Sequence, residues 1–369
     1  MKGLRNMPTE KEIIELIKRG ELSFPPLSIQ LLQIQPVIKE NVLADALIEV
    51  SWGEKKAKFA VEFKAISTPK AFQSALHQLK FLPPQKNIGR MLIMPFLDDK
   101  QLQELEREEI SGIDLCGNGM VIVPGLFAVS RNGGENRFPS SALIKNIYRK
   151  NSSMVGRVFL ARSSYPSVQV ICEEVNRRNM LVNQRGSKPM SLSTVSKSLK
   201  TLENDLIIER NNAIHLLQAD KLLEKLRESY SPVVSKKKVR IKLKEENELI
   251  TQTLWRISQK AGLPLVATGS SSVTQYAVMQ RGGMLSVYCP RIEEVAEVMP
   301  GSQSDRFPNL ELIETEDETV FFDAREKQNF WWASPVQVYL ELIAGDKRDR
   351  ETAEQVKTYI MSYFDTVRP

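Results

Sequence analysis

Residues 189–210 read Pro-Met-Ser-Leu-Ser-Thr-Val-Ser-Lys-Ser-Leu-Lys-Thr-Leu-Glu-Asn-Asp-Leu-Ile-Ile-Glu-Arg. Leu192, Val195, Leu199 and Leu202 recur at helical spacing, and Thr194, Ser196, Lys197 and Lys200 project between them. This predicts a helix with one apolar seam and one short, polar, basic edge.

Working outward, a preceding helix is expected over about Ser167–Asn179, with Val170, Ile171 and Val175 inward and Arg177 and Arg178 at its end. The following segment, Leu206–Leu217, reads as strand, Asn211-Asn212 turn and strand. Helix, turn, helix and β-ribbon in that order resemble a winged helix-turn-helix. That resemblance implies that the second helix lies in a DNA major groove. A helical domain that only packs is the plain alternative, and charge argues against it. Residues 145–244 hold 21 Lys and Arg against 8 Asp and Glu, whereas the remainder holds 30 against 37. Basicity is therefore concentrated on the segment that would meet phosphates. Thr194, Ser196, Lys197 and Lys200 are the expected groove contacts, and Arg177, Arg178, Arg185 and Lys188 the expected phosphate contacts.

A chain of 369 residues exceeds one core and implies two or three domains. No stretch approaches the ~20 consecutive apolar residues of a membrane span. The basic start leads into an amphipathic helix instead of an apolar run, so no signal peptide is expected. Cys116, Cys172 and Cys289 are scattered without metal spacing, as in reduced cytoplasmic proteins. With His77 and His215 the only histidines, a zinc site or a His-based triad is not expected.

In the first 140 residues a helix is expected over Thr9–Arg19, capped by Thr9 with Glu12. A second helical stretch is expected after Pro25-Pro26, to about Asn41. Ala44–Val50 and Lys58–Lys64 read as strands joined through Trp52-Gly53-Glu54-Lys55. They are followed by helix Phe72–Phe81, strand Met91–Pro95, helix Asp98–Glu109 and two short strands over Ile113–Val123. Asp45 opens the first strand, and Glu62-Phe63-Lys64 closes the second. Period two puts Glu62 and Lys64 on one face and Phe63 on the other, in the core. An Asp and a Glu converging from neighbouring strands can hold a divalent cation, beside a Lys that orients or deprotonates water. The same tripeptide also occurs as a solubilising pattern on exposed strands. The apolar run Phe59-Ala60-Val61 ahead of Glu62 favours a central strand, where two charges on one face need a reason.

Asp45 followed by Glu62-Phe63-Lys64, a helix and a strand resembles the PD-(D/E)XK nuclease superfamily, with Ala44 where the name pattern has Pro. The resemblance implies a restriction-endonuclease-like mixed sheet and a Mg²⁺ site. Asp45 and Glu62 would be the metal ligands and Lys64 the catalytic lysine. Gln73 and Gln78 are possible auxiliary groups, and Glu40 a possible helix-borne carboxylate. Asp114, in an apolar strand before the Gly117-Asn118-Gly119 turn, reads as structural or as a neighbour of the same cleft.

Ser130–Ser141 reads as a linker. The expected plan is α/β and α+β multidomain: a nuclease-like domain over 1–140, a winged domain over 142–235 and a C-terminal α/β domain over 240–369. Within the last, helices are expected over 246–261, 272–281 and 291–299, with two more at the C-terminus. Strands are expected at Leu263–Thr268, Leu285–Tyr288, Leu310–Glu314 and Thr319–Phe322. The alternation Val239 to Lys244 suggests a strand with one basic face. Thr268-Gly269-Ser270-Ser271-Ser272 opens a helix after a strand, a geometry that holds either an anion or a simple cap. That string and Ser334-Pro335-Val336-Gln337-Val338-Tyr339-Leu340-Glu341-Leu342, downstream of the winged segment, resemble the AbiEi antitoxins of type IV toxin-antitoxin systems over roughly residues 143–369. The resemblance implies autoregulatory operator binding by the winged domain and opposition to a nucleotidyltransferase-like toxin. The competing expectation is a Mg²⁺-dependent DNA endonuclease targeted by the winged helix; a third is an interaction scaffold.

Overall fold

The computed structural model describes residues 8–39, 42–83, 85, 87–138, 146–183, 188–278 and 284–365. The chain is mixed α/β and divides into two compact units, Met1–Leu143 and Ile144–Pro369.

In the first unit α1 (Glu10–Lys18) starts at a reciprocal cap between Thr9 and Glu12 and buries Ile13 and Ile17. The helix expected after Pro25-Pro26 is instead strand β1 (Ser28–Ile34), followed by a ribbon of β2 (Val37–Lys39) and β3 (Val42–Leu43). Pairing decided this. The Ser-Ile-Gln-Leu-Leu-Gln-Ile run has no strong local preference, and β4 (Ala46–Trp52) offers an antiparallel ladder with Ile29 opposite Val50 and Leu31 opposite Ile48. Strand β5 (Lys55–Phe63) returns beside β4 through a turn in which Gly53 takes φ +62°, a backbone that glycine adopts without strain. Helix α2 (Pro69–Phe81) then crosses to β6 (Ile88–Met94), parallel to β5, and α3 (Asp99–Arg107) crosses to β7 (Ser111–Asp114), parallel to β6. An antiparallel ribbon, β8 (Gly119–Val123) and β9 (Phe127–Arg131), finishes a sheet of order β1-β4-β5-β6-β7-β8-β9.

Alternation along β5 assigns its two faces. Phe59, Val61 and Phe63 pack with Ile13 and Ile17 of α1, while Ala60 packs with Phe72, Leu76 and Leu79 of α2 and with Leu102 and Leu105 of α3. Glu62 and Lys64 continue the Ala60 face.

The second unit begins with α4 (Ser153–Phe159), β10 (Ser164–Tyr165), α5 (Val168–Arg178), α6 (Met180–Asn183) and α7 (Leu192–Asn204). Strands β11 (Ile208–Arg210) and β12 (Ile214–Leu216) form a ribbon extended by β10, in the order β10-β12-β11, and α8 (Ala219–Ser229) follows. Next come β13 (Lys238–Lys242), α9 (Asn247–Ala261), β14 (Val266–Ala267), α10 (Gly269–Ser272), β15 (Leu285–Cys289) and α11 (Ile292–Ala296). The chain continues through β16 (Ser302–Gln303), β17 (Leu310–Glu314), β18 (Arg325–Glu326) and β19 (Trp331–Trp332) to α12 (Pro335–Ile343) and α13 (Lys347–Asp365). These strands lie in the order β16-β13-β17-β15-β14-β19-β18.

Two expectations are corrected here. The helix at 272–281 is reduced to α10 and one 3₁₀ turn, Val273–Gln275, with 279–281 outside the described residues. Thr319–Phe322 is not a strand. The Asp317 carboxylate accepts hydrogen bonds from both the backbone N–H and the hydroxyl of Thr319 and winds the chain into a 3₁₀ turn. One hydrophobic cluster joins Leu199, Leu222 and Leu226 to Val338, Tyr339, Leu342 and Val356. No helix among the described residues is long and apolar enough to cross a membrane.

Candidate functional site

The carboxylates come together at the end of β5. Asp45 precedes β4 and is tied to β5 at two points: its N–H donates to the Val61 carbonyl at 3.0 Å, and its Oδ2 accepts from the Phe63 N–H at 2.8 Å. Glu62 is only 8% exposed. The Lys64 backbone N–H is fixed on the Ile93 carbonyl at 3.0 Å, and its Nζ donates to Glu62 Oε1 at 2.6 Å and to Gln78 Oε1 at 2.8 Å. Asp45, Glu62, Lys64 and Gln78 are therefore one constellation drawn from the residue before β4, the end of β5 and the residue after it, and α2. Burial pushes the Glu62 carboxyl above the usual carboxylate range. The Lys64 ammonium opposes that shift and the Asp45 charge reinforces it.

Gln73, the other glutamine flagged in the sequence, points away from this group and donates to Glu104 of α3 at 2.8 Å. Glu40 lies outside the described residues. Asp114 is structural: its oxygens accept from the backbone N–H groups of Leu97, Cys116 and Asn118 and from the Asn118 side chain. No group of three or more His, Cys, Asp and Glu side chains suited to a metal occurs among the described residues. The Asp45 and Glu62 pair still fits a single hard cation in its donor chemistry. One oxygen of each is committed to Phe63 and Lys64, and the like charges are brought together under burial, a repulsion that a cation relieves.

The second candidate surface is carried by α7. Ser191 caps it, accepting from the Thr194 N–H at 3.2 Å and sharing a 2.9 Å hydroxyl contact with Thr194 Oγ1. Val195, Ser198, Leu199 and Leu202 are buried. Leu192, expected in that seam, is 46% exposed, and Ser198, beside Leu199, is buried instead. Ser196, Lys197 and Lys200 are exposed, and Thr194 is half-buried.

The arginines at the end of α5 divide. Arg177 is exposed and gripped by Glu174 through two 2.8 Å hydrogen bonds. Arg178 is turned inward, held by Glu174 and by Asp323, with its own carbonyl accepting from the Asp323 N–H at 3.0 Å. It therefore joins α5 to the segment before β18. Hydrogen bonds from Arg177 and then Arg178 hold the Glu174 carboxyl down to about 2. Lys188 is exposed, and Arg185 lies outside the described residues.

The Thr268–Ser272 string is already occupied by the protein itself. Glu341 Oε2 accepts from the Gly269 N–H at 2.7 Å, and its Oε1 accepts from Gln337 Nε2 at 2.9 Å. A Cβ on residue 269 would stand 2.7 Å from that Oε2, so glycine is required by close approach. Ser272 Oγ meanwhile accepts from the Ala333 N–H at 2.9 Å, and Ser334 caps α12 through the Gln337 N–H. The two strings singled out in the sequence are thus one structural unit. Nothing in the sequence shows that Glu341 reaches Gly269, because the contact spans 72 positions. No protein-family model matches the chain, and no curated protein is significantly similar to it.

Proposed function

We propose that this protein is a duplex-DNA-binding regulator of the AbiEi antitoxin kind, with α7 as the reading helix of a winged helix and β11–β12 as the wing. One observation carries this reading: Ser196, Lys197 and Lys200 form an exposed edge on a helix that buries Val195, Leu199 and Leu202, next to a short antiparallel ribbon. Lys197, Lys200 and Lys188 would set affinity through phosphates, with Arg177 contributing on release from Glu174. Thr194 and Ser196 would meet base edges. Arg178 is left out of this set because its guanidinium is spent on Glu174 and Asp323. A nucleotidyltransferase-like toxin is the proposed protein partner. The test is a gel-shift titration with the DNA that flanks the protein's own operon. Lys197→Ala with Lys200→Ala should weaken binding at least tenfold; unchanged affinity would sink the assignment of α7.

A second reading rests on a different observation, the convergence of Asp45, Glu62, Lys64 and Gln78. It supports Mg²⁺-dependent phosphodiester cleavage by a PD-(D/E)XK-like first domain, with Asp45 and Glu62 holding the cation. When bound, Mg²⁺ supplies Lewis acidity at the scissile phosphate. Lys64, held in place by Glu62 and Gln78, would position the attacking water. Supercoiled plasmid with Mg²⁺ or Mn²⁺ tests this. Nicking by the wild type and not by Asp45→Ala or Lys64→Ala is the expected result, and persistent nicking in both variants would assign the activity elsewhere.

A further inference from the structure

A cavity of about 590 Å³ opens within the second unit, and neither reading above uses it. Its lining comes from the loop before α4 (Tyr148, Arg149, Lys150), from α4 (Arg157) and from the end of α8 (Tyr230). Facing these is the turn after β17, which contributes Asp317.

The chemistry of that lining is unevenly satisfied. Arg157 is 5% exposed, and both of its hydrogen bonds leave from Nη1, to the Thr319 carbonyl at 3.2 Å and to Gln337 Oε1 at 2.9 Å. Its Nε is buried with no partner among the described residues. Among the described residues no carboxylate forms an ion pair with it, and burial pushes the guanidinium below its ordinary value against the weaker pull of Asp317, Asp323 and Glu341. Arg149 and Lys150 are exposed at the rim and form no ion pair among the described residues, with Lys150 held at φ +50°. Of the facing acids, Glu316 is paired with the Lys236 ammonium, while Glu318 and Asp317 are held by the neutral donors Asn151 and Thr319. The wall without ion pairs among the described residues is thus cationic, and two tyrosines flank it.

We propose that this cavity binds a small phosphorylated ligand of nucleotide size. Arg157, Arg149 and Lys150 take the phosphate, and Tyr148 and Tyr230 flank the remainder. Its volume falls within the range usual for small-molecule sites, and guanidinium groups match phosphate geometry. The site has a route to α7. The Tyr148 hydroxyl donates to Asp205, the residue that ends α7. A ligand that moves Tyr148 therefore moves the end of the reading helix. This coupling, unlike the binding itself, rests on the DNA-binding reading.

The test is calorimetric titration of the full chain with AMP, GMP, adenosine and inorganic phosphate. Saturable binding of a nucleoside monophosphate is expected, weakened about tenfold or more by Arg149→Ala with Lys150→Ala. That double change lies on the surface. It carries the decision, because Arg157→Gln also removes internal hydrogen bonds and must first pass a thermal-melt check. Absence of saturable heat with both nucleotides would overturn the site, as would unchanged affinity in the double variant or adenosine binding as tightly as AMP. Inorganic phosphate binding alone would overturn the nucleotide-sized ligand. Repeating the DNA titration with saturating nucleotide reads the coupling. A shift in affinity that Tyr148→Phe removes supports it, and the same affinity with and without nucleotide overturns it. A chain that binds no DNA at all would fail the regulator reading and leave the calorimetry to stand by itself.

Discussion

A glutamate buried beside an aspartate is a poor way to stabilise a strand, and Glu62 carries that cost openly. Its carboxyl holds a proton to higher pH in the folded chain than the ~4.3 of a free glutamate. The stability that this proton contributes is complete below that unfolded value and is lost as pH rises through the folded one. Melting temperature should therefore fall over that window, and Glu62→Gln should flatten the fall; a parallel curve for the variant would contradict the assignment. Glu341, raised in the same direction, supplies the part of the slope that this substitution leaves. On the nuclease reading Mn²⁺ would compete with the same proton, and its affinity, read by calorimetry, should then drop as pH descends through the raised value of Glu62. The close contact at residue 269 gives a sharper prediction. Gly269→Ala drives a methyl into the Glu341 carboxylate and should cost about 1–3 kcal/mol in denaturant unfolding.

At the scale of elements, α7 separates what periodicity reveals from what it conceals. Its phase was legible, since Val195, Leu199 and Leu202 are buried as their spacing requires. Which turn of the seam is covered was not. Leu192 sits at the first turn and stays exposed, while small Ser198 is enclosed. Periodicity gives direction, but coverage depends on neighbours far along the chain. β1 shows the same limit, because its partner β4 chose strand over helix. The convergence at the end of β5 was legible because Asp45 and Glu62 sit at the ends of strands joined by a short hairpin, and register then brings them side by side. Gln78 had a local signal, and only the fold distinguishes it from Gln73. If Lys197 and Lys200 each neutralise one phosphate, removing both should reduce the slope of log affinity against log salt by about 2. A slope that does not change would place both lysines away from the DNA.

For the molecule as a whole, the hydrophobic cluster shared by α7, α8, α12 and α13 argues that residues 146–365 fold as one piece. A fragment ending at residue 235 would leave Leu222 and Leu226 without the side chains of α12 and α13 that cover them. It should give poorly dispersed amide spectra, where the fragment 146–365 gives dispersed ones. The ion network through Arg178 adds to this union. Asp323→Ala should lower the stability of the second unit by about 2 kcal/mol, as expected for losing hydrogen bonds to a charged group, and should do so in a single transition. The contact between Gly269 and Glu341 has one more consequence. Because the carboxylate of residue 341 occupies the space a side chain at 269 would need, the two positions cannot drift independently. A change at residue 269 and a change at residue 341 are therefore coupled, so the cost of each depends on which of them arises first.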